Sequence, residues 1–434
     1  MRILLEGGRV LDPARKLDKV CDVLIEEGKI VEVGPGLAKK FLPRHPAPGT
    51  AVFSAKGLWV LPGIIDIHVH LREPGREKDE TIKSGTRAAA MGGVTTVLCM
   101  PNTDPAIDTA ERVKWVRNKA EKDAAVRVLV AGAVSKSQKG VELAPIGGMA
   151  EAGAAAFSDD GKPVATAQLM RRALEYTKRF GLPVIDHCEE TTLSEGGSMN
   201  EGAVSFRLGL NGIPRAAETI TALRDIELAR LTGGRVHLAH VSCGETVEAV
   251  RRAKKAGINV TAEACPHHFA LTEEDMPDYD PNFKMNPPLR TKADVEAIRQ
   301  GFADGTLDAI ATDHAPHSPE KKALPFQDAP FGVIGLETLV PLSLDLVRRK
   351  VVSPLRWAEL VSAGPAAVLG LKDRGTLKPG SDADISIIAP EGELVYEKSE
   401  SRSKNSPFLG RKLKGKAVAT VVGGRFVMEA GRLV

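Results

Sequence analysis

Two histidines separated by one residue, His68 and His70, come directly after an apolar run at residues 64–67. Residues i and i+2 of an extended segment point to the same side, so both imidazoles can reach one ion. Ligand-type side chains also follow other apolar runs, at Asp159, Asp160, His187, His240 and Asp313. Imidazoles together with carboxylates suit zinc or a similar divalent metal. The pattern predicts a hydrolase whose metal activates water.

These residues also have structural alternatives. A single histidine at a strand end, such as His237, is more often a hydrogen-bonded structural residue than a metal ligand. An aspartate after a strand often caps the next helix, as Asp159 could. Because ligand-type residues follow five separate runs, we favour one shared metal site over five unrelated structural roles.

The runs themselves read as strands, because most are nearly continuous in apolar residues, like parallel strands covered on both faces. They lie at residues 64–67, 94–100, 126–133, 154–157, 183–186, 236–239, 259–264 and 309–312. The segments between them are predicted to be helices. In one of these, Asp108 and Glu111 form a capping-box pattern. An apolar stripe continues from there through Val113, Val116 and Ala120.

Eight strand–helix alternations predict a (β/α)8 TIM barrel, in which the residues that follow the strands share the C-terminal rim. An open, doubly wound sheet is the alternative, but such a sheet usually has a glycine-rich turn after its first strand, and this sequence has none there. Both chain ends are strand-like, with hairpin turns at Glu27-Gly28 and Gly423-Gly424. We expect residues 1–58 and 373–434 to form one composite β-sandwich domain, and residues 59–372 to form the barrel.

The composition favours a cytoplasmic globular protein without nucleic-acid or membrane partners. The 59 Lys and Arg residues nearly balance the 56 Asp and Glu residues, and no basic stripe stands out. No apolar run reaches the length of a membrane span, and the first residues lack the apolar core of a signal peptide. The five cysteines are scattered and show no Cys-x-x-Cys spacing, as expected of reduced core residues.

Several segments resemble known motifs. Residues 66–75 (DIHVHLREPG) resemble the opening motif of the cyclic amidohydrolases. The chain is similar to type I dihydroorotases of the amidohydrolase superfamily at residues 100–103 (MPNT), 158–161 (SDDG), 284–290 (KMNPPLR), 311–317 (ATDHAPH) and 380–384 (GSDAD). The resemblance covers nearly the whole chain, including the composite β domain.

The resemblance implies a ligand set of His68, His70, Asp160, His187, His240 and Asp313. Related hydantoinases and allantoinases usually place a carboxylated lysine on the fourth strand to bridge two metals. Here Asp160 stands at that position, and Lys162 is a poor candidate for the bridging role. Because an aspartate is shorter than a lysine carbamate, the expected cofactor is either one or two Zn²⁺ ions per subunit.

The implied reaction is the reversible cyclisation of N-carbamoyl-L-aspartate to (S)-dihydroorotate with release of water, the third step of pyrimidine biosynthesis. In the hydrolytic direction, metal-activated hydroxide attacks the ring amide and Asp313 acts as general base and then general acid. The resemblance adds Asn102, Asn286, His317, Phe331 and Gly332 as substrate contacts.

Arg72 is the predicted anchor for the substrate carboxylate. It lies two residues beyond His70 on the same side of an extended segment, and a guanidinium grips a carboxylate through paired hydrogen bonds. The alternative is a surface ion pair with Glu73 or Glu77.

Other candidates also keep a second interpretation. Asn286 is either a substrate contact or a residue of a proline-rich turn. The segment 318–332 is either a mobile lid or a passive surface loop. His267 and His268 are expected to be structural or to support the ligands.

Two other functions compete with a dihydroorotase. One is a hydrolase of hydantoin or another cyclic ureide. The other is a non-catalytic relative that scaffolds aspartate transcarbamoylase, although such chains generally lack the metal ligands that are present here. The resemblance also implies a homodimer, and it makes aspartate transcarbamoylase a candidate partner of an active enzyme.

Overall fold

A computed structural model describes residues 2–41 and 50–434 of the chain. Its strands in chain order are β1 (Arg2–Asp12), β2 (Leu17–Glu26), β3 (Lys29–Gly34), β4 (Thr50–Ser54), β5 (Trp59–Pro62), β6 (Ile64–Val69), β7 (Val94–Cys99), β8 (Arg127–Ala133), β9 (Ala156–Ser158), β10 (Val184–Asp186), β11 (Met199–Asn200), β12 (Gly212–Ile213), β13 (Val236–Leu238), β14 (Val260–Ala264), β15 (Ala309–Ile310), β16 (Ile385–Val395), β17 (Lys412–Val422), β18 (Arg425–Glu429) and β19 (Arg432–Leu433).

The helices lie mostly between the strands of the central part. They are α1 (Leu37–Phe41), α2 (Ile82–Met91), α3 (Ala110–Asp123), α4 (Ile146–Glu151), α5 (Ala167–Thr177), α6 (Thr191–Ser194), α7 (Ala203–Leu208), α8 (Arg215–Thr232), α9 (Gly244–Lys255), α10 (Pro266–Ala270), α11 (Lys292–Ala303), α12 (Pro319–Lys322), α13 (Leu339–Arg348), α14 (Pro354–Ala358) and α15 (Gly364–Leu369).

Eight parallel strands form the predicted barrel. They pair in the order β6-β7-β8-β9-β10-β13-β14-β15, and each overlaps one of the eight predicted runs. The ring closes beyond β15, where Val69 bridges to His314 and the His70 N–H donates to the His314 carbonyl at 2.8 Å. The barrel is therefore confirmed over the open sheet.

A buried carboxylate reinforces this closure. Asp66 of β6 accepts hydrogen bonds from the Thr312 N–H at 3.1 Å and from the Thr312 hydroxyl at 2.6 Å. It also accepts from the His68 N–H at 3.2 Å, and burial raises the Asp66 pKa to about 7. The first and last strands of the barrel are thereby joined directly beneath His68 and Asp313.

Helix α3 differs in one detail from the sequence prediction. The predicted capping box at Asp108 and Glu111 is wrong, because the cap is Thr109, whose hydroxyl accepts from the Arg112 N–H at 3.4 Å. Asp108 instead accepts from the Ser137 N–H at 2.7 Å, a tertiary contact that the local pattern does not contain. The predicted apolar stripe is confirmed, since Val113, Val116 and Ala120 are buried.

Both chain ends contribute to one strand-rich domain, as predicted. Its nine strands join in a single hydrogen-bonded sheet of order β19-β18-β17-β16-β5-β1-β2-β3, with β4 paired to β1. Both predicted hairpins form, as β2–β3 and β17–β18. Their turns touch, and a Cβ on Gly28 would lie 2.9 Å from the Gly423 carbonyl oxygen, so glycine is required there.

Strand β5 lies where the composite sheet meets the barrel. It pairs with β1 and β16 and leads within two residues into β6. The predicted boundaries at residues 58/59 and 372/373 stay a prediction. Among the described residues, no helix is long and apolar enough to cross a membrane.

One hydroxyl connects the composite sheet to the barrel. The buried Ser386 of β16 donates to the Gly93 carbonyl at 2.6 Å and accepts from the Ile64 N–H at 2.9 Å. Both backbone groups lie at the N-terminal ends of barrel strands. The contact therefore fixes how the sheet sits against the barrel.

We expect Ser386→Ala to lower the free energy of unfolding by about 1–3 kcal/mol, because it leaves a buried N–H and a buried carbonyl without a partner. Urea unfolding followed by circular dichroism measures the effect. Ser54→Ala, at an exposed position of β4, is the control and should stay within about 0.5 kcal/mol of the unaltered chain. Equal unfolding midpoints for the two variants would contradict the assigned role of Ser386.

Candidate active site

A cavity of about 310 Å³ opens at the C-terminal rim of the barrel. Eleven of the predicted site residues line it, and the remaining one, His68, is fully buried beneath it. The eleven are His70, Arg72, Asn102, Asp160, His187, His240, Asn286, Asp313, His317, Phe331 and Gly332. Residues that are far apart in the sequence therefore meet in one place.

The carboxylate of Asp160 lies at the centre of the histidines. Its Oδ1 is 3.2 Å from His68 Nε2 and 3.4 Å from His240 Nε2. Its Oδ2 is 3.3 Å from His70 Nε2. His187 completes the group, with its Nδ1 3.7 Å from Asp160 Oδ1 and 2.9 Å from His240 Nε2.

Asp313 approaches the same centre from the segment after β15. Its Oδ1 lies 2.9 Å from His70 Nε2 and 3.7 Å from His68 Nε2. Burial raises the Asp313 pKa, but the hydrogen bond from His70 and the charge of His68 outweigh it and hold this pKa well below the usual range. Asp313 is therefore a carboxylate, the form that can accept a proton.

The outward-facing nitrogens of three of the histidines have acceptors. His68 Nδ1 is 3.0 Å from Glu263 Oε1, His70 Nδ1 is 2.8 Å from Asn102 Oδ1, and His187 Nε2 is 3.2 Å from Glu189 Oε2. Since carboxylate and amide oxygens only accept, each of these nitrogens carries the proton. In the neutral form that binds a metal, the opposite nitrogen of each ring would direct its lone pair at the centre.

These residues fit a divalent metal ion. Within the described part of the chain, His68 Nε2 and Asp160 Oδ1 are buried and have no hydrogen-bond partner. Two overlapping groups of ligand atoms share His68, namely His68 with Asp160 and His240, and His68 with His70 and Asp313. Imidazole nitrogens and carboxylate oxygens at this spacing are typical of zinc sites.

The close packing of carboxylates and imidazoles shifts the pKa values of Asp160 and His187. Burial alone would raise the Asp160 pKa, but the charge of His68 and the close imidazoles of His187 and His240 hold it well below its ordinary value. Burial opposes the charge on His187, but the nearby carboxylates of Asp160 and Glu189 raise its pKa to about 10. The carboxylates therefore hold a proton on His187 that a metal must displace.

The backbone directs three site residues inward. Arg72, His240 and Asp313 have φ values of 59°, 34° and 46°, in the left-handed region that non-glycine residues rarely adopt. Each of them comes shortly after a barrel strand, where the chain turns away from the ring. Such conformations cluster at functional sites because the surrounding fold enforces them.

Arg72 is buried at the cavity wall, and the surface ion pair considered for it is wrong. Glu73 instead accepts from the Ile82 N–H at 2.9 Å, and Glu77 accepts from the Gly75 N–H at 2.8 Å. Burial and the nearby Arg76 lower the Arg72 pKa to about 10, so the guanidinium stays charged at neutral pH. Among the described residues, no carboxylate forms an ion pair with Arg72.

His317 leaves the Arg72 guanidinium available. The His317 Nε2 is 2.7 Å from the Phe331 carbonyl, which only accepts, so this nitrogen carries a proton. Arg72 Nη2, 3.4 Å away, therefore cannot donate to it. Burial and the charge of Arg72 lower the His317 pKa to about 3, so the ring is neutral.

The loop at residues 318–332 is held against the cavity by buried lysines. Lys322 Nζ donates to the carbonyls of Pro281 at 2.7 Å and Pro330 at 2.9 Å. Lys284 Nζ donates to the Phe326 carbonyl at 2.8 Å and lies 4.6 Å from the centre of the Phe331 ring. These contacts fix the end of the loop beside Arg72. Opening of the loop as a lid stays a prediction.

Gly332 has a φ of 132°, and a Cβ there would lie 2.8 Å from the Ala315 carbonyl oxygen. Only glycine fits this approach of the loop to the rim. Asn286, on the neighbouring loop, donates through Nδ2 to Glu189 Oε1 at 3.0 Å. His268 supports the same loop, with its Nε2 2.9 Å from the Pro287 carbonyl.

Two residues of the site, Glu189 and Glu263, were not predicted. Glu263 is the only charged residue in the run at 259–264, and a charge inside a buried strand is the pattern that points to it. Glu189 follows His187 by two residues, the same spacing as His68 and His70. Asp159 accepts from the Ser135 N–H at 3.0 Å and does not cap the next helix, whose cap is Thr166.

Comparison with known proteins places the chain among metal-dependent hydrolases of cyclic amides. Residues 57–246 match the family described as Dihydro-orotase-like, and residues 198–428 match the one described as Amidohydrolase family. A dihydroorotase from Geobacter sp. (strain M21) is 51% identical over 434 residues, which are 99% of this chain and 100% of the relative. A dihydroorotase from Citrifermentans bemidjiense is also 51% identical, over 433 residues and the same shares.

A solved structure shows the same fold at lower identity. The L-hydantoinase from Arthrobacter aurescens superposes with a TM-score of 0.88 at 24% identity, covering 100% of this chain and 97% of that one. At this identity the similarity concerns the architecture of barrel and composite sheet. The choice of substrate depends on the residues that line the cavity.

Proposed function

Because this chain belongs to the dihydroorotase family of amidohydrolases and is therefore a cyclic amide hydrolase, we propose that it interconverts N-carbamoyl-L-aspartate and (S)-dihydroorotate. The observation that carries the substrate assignment is Arg72, a buried cation without an ion-pair partner among the described residues. A buried charge is costly unless it is paired, so this position calls for an anionic ligand.

The substrate fits the cavity chemically. Dihydroorotate is a small ring that carries one carboxylate, whereas hydantoin carries none. Arg72 would pair with that carboxylate, beside Asn102, Asn286 and the loop end at Phe331 and Gly332. His317, neutral and fixed by Phe331, would contribute hydrogen bonding without a second charge.

We propose zinc as the metal, with either one or two ions held by His68, His70, Asp160, His187, His240 and Asp313. A bound zinc ion lowers the pKa of water to about 7 and polarises an amide carbonyl. Asp160 would hold the histidines around this centre, since its two oxygens reach three of them.

Asp313 would move the proton. Its carboxylate takes a proton from the attacking water in the hydrolytic direction and returns it to the leaving ring nitrogen. In the reverse direction the same groups close the ring and release water. Asp313 Oδ1 lies 2.9 Å from His70 Nε2, which places the carboxylate beside the proposed ligands.

In a cell, the reaction would supply the third step of pyrimidine biosynthesis. The homodimer, the association with aspartate transcarbamoylase and the cytoplasmic location stay predictions.

The test of the proposed function is a spectrophotometric assay of dihydroorotate hydrolysis on protein whose zinc content is measured in parallel. We expect turnover that rises with zinc occupancy. Asp313→Asn should lower kcat by about 10²–10⁴-fold, because it removes the group that accepts the proton. The Asn variant also controls for a contaminating enzyme. No turnover at any zinc occupancy would exclude the proposed reaction.

The role of Arg72 has a matched control in Arg76, an exposed arginine on the same segment. We expect Arg72→Met to lower kcat/KM for dihydroorotate about 100-fold, because two charge-assisted hydrogen bonds are lost. Zinc content should be unchanged. Arg76→Met should stay within about twofold of the unaltered chain, since a surface substitution away from the cavity has little effect.

Two results would contradict the carboxylate-bearing substrate. One is an Arg72→Met variant that turns over dihydroorotate normally. The other is efficient hydrolysis of uncharged hydantoins by the unaltered chain, which would favour the cyclic ureide alternative.

Zinc affinity should rise with pH between 6 and 8. The raised pKa of His187, about 10, means that this ring is protonated in the metal-free chain, and a zinc ligand must be neutral. The metal-bound state therefore holds fewer protons, so a higher pH favours it. We expect about a tenfold gain in affinity per pH unit for each proton released.

Chelator competition at several pH values measures this slope. Glu189→Gln removes a carboxylate that stabilises the charged His187 ring and should flatten the slope. A slope of zero in the unaltered chain would contradict the prediction.

A further inference from the structure

A buried row of polar side chains runs from His68 into the wall of the barrel. Glu263 Oε1 is 3.0 Å from His68 Nδ1, and Glu263 Oε2 is 3.1 Å from His237 Nε2. His237 Nδ1 is in turn 2.8 Å from the Thr261 hydroxyl. Glu263 and His237 are fully buried, and the row belongs to strands β13 and β14.

Glu263 determines which nitrogen of His68 faces the Asp160 centre. A carboxylate accepts and does not donate, so His68 Nδ1 carries the proton in its hydrogen bond with Glu263. The opposite nitrogen of His68, Nε2, faces Asp160. His237 Nε2 makes a close contact, at 3.1 Å, with the other oxygen of the Glu263 carboxylate.

Fold stability alone does not account for Glu263. A buried carboxylate is costly unless it is paired, and among the described residues no lysine or arginine forms an ion pair with Glu263, so the histidines His68 and His237 are its partners. Its neighbours on β14 are small or apolar, and an apolar side chain would fill the same space without this cost. The charge is explained by what it contacts, namely the histidine that belongs to both groups of ligand atoms.

We propose that Glu263 is a positioning residue of the metal centre, held in place by His237 and Thr261, and that it orients His68 and strengthens it as a ligand. The inference rests on the metal site of the proposed function. A carboxylate that accepts from the outer nitrogen of a ligating histidine fixes the ring and makes the inner nitrogen a better donor. His237 and Thr261 prevent Glu263 from turning away.

The test is the zinc dissociation constant of the purified full-length chain, measured by competition with a chromophoric chelator in the absence of substrate. Glu263→Gln keeps the size of the side chain and removes its charge. We expect the dissociation constant to rise about 10–100-fold. The absorption spectrum of the Co²⁺-loaded variant should also change, which a purely structural role of Glu263 would not cause.

Asp294→Asn is the matched control for removing a buried carboxylate. Asp294 forms an ion pair with Arg215 at 2.7 Å and completes the capping box of helix α11 with Thr291, and it contacts none of the proposed ligands. This variant should lose stability but bind zinc like the unaltered chain. A folded Glu263→Gln variant with unchanged zinc affinity and an unchanged Co²⁺ spectrum would overturn the inference.

A second variant keeps the test decisive if Glu263→Gln does not fold. His237→Leu leaves the Glu263 carboxylate in place and removes its support. We expect it to raise the zinc dissociation constant by at least about threefold, less than Glu263→Gln does. Zinc affinity equal to that of the unaltered chain would overturn the inference.

The outcome is separable from that of the proposed function. If the unaltered chain binds zinc but does not hydrolyse dihydroorotate, and Glu263→Gln weakens zinc binding, only the proposed reaction fails. If the unaltered chain is active and both variants bind zinc normally, only the role of Glu263 fails. A chain that binds no zinc would overturn both.

Discussion

The geometry of the whole rim depends on the contacts of three imidazoles with one buried carboxylate, that of Asp160. The three nitrogen–oxygen distances lie between 3.2 and 3.4 Å, and the residues involved come from strands on opposite sides of the ring. Such a cluster forms only if the barrel closes accurately. The hydrogen bonds from Thr312 to Asp66 and from His70 to His314 close it directly at this rim, so the contacts that close the barrel also position the site.

Charge imposes the second constraint. Asp160, Asp313 and Glu263 are buried together, and the described residues provide no lysine or arginine in ion-pair contact with them. Protonated histidines offset part of this charge in the metal-free chain, as the raised pKa of His187 shows. Bound divalent cations would take over that role, because they neutralise carboxylates that water no longer reaches. Arg72 lines the same cavity, so the cavity combines a cation with this centre of carboxylates and histidines.

Much of this arrangement was predictable from the sequence. The i, i+2 spacing of His68 and His70 follows the periodicity of a strand, and ligand-type residues follow five of the eight apolar runs, so both features can be read from the sequence. Arg72 was predicted from the same phase and lines the cavity, but the extended segment assumed for it ends at Val69, and Arg72 itself has a left-handed backbone. The composite sheet was predicted because neither chain end has enough strands to bury an apolar face alone.

The remainder depends on contacts between distant segments. Asp108 fits a capping pattern, but its carboxylate accepts a hydrogen bond from the distant Ser137 N–H instead. The local sequence pattern does not contain that contact. Glu263 is the only charged residue of its run, and its role becomes clear only from its contact with His68, which the position of β14 in the barrel creates. Lys284 and Lys322 fix the end of the loop, but their sequence surroundings do not distinguish them from lysines at the surface. In each case the partner lies many residues away or in another element.

The pairing of β5 with β16 also determines how late in protein synthesis the composite sheet can be completed. Strand β5 ends at Pro62, whereas β16 begins at Ile385, about 320 residues later. At roughly 5–20 residues per second, a ribosome needs about 16–64 s to supply the missing neighbour. Throughout that interval one edge of β5 has unpaired backbone groups, and an open edge invites pairing with other chains. The barrel segments emerge meanwhile, so this edge needs cover until roughly the last ninth of the chain is made.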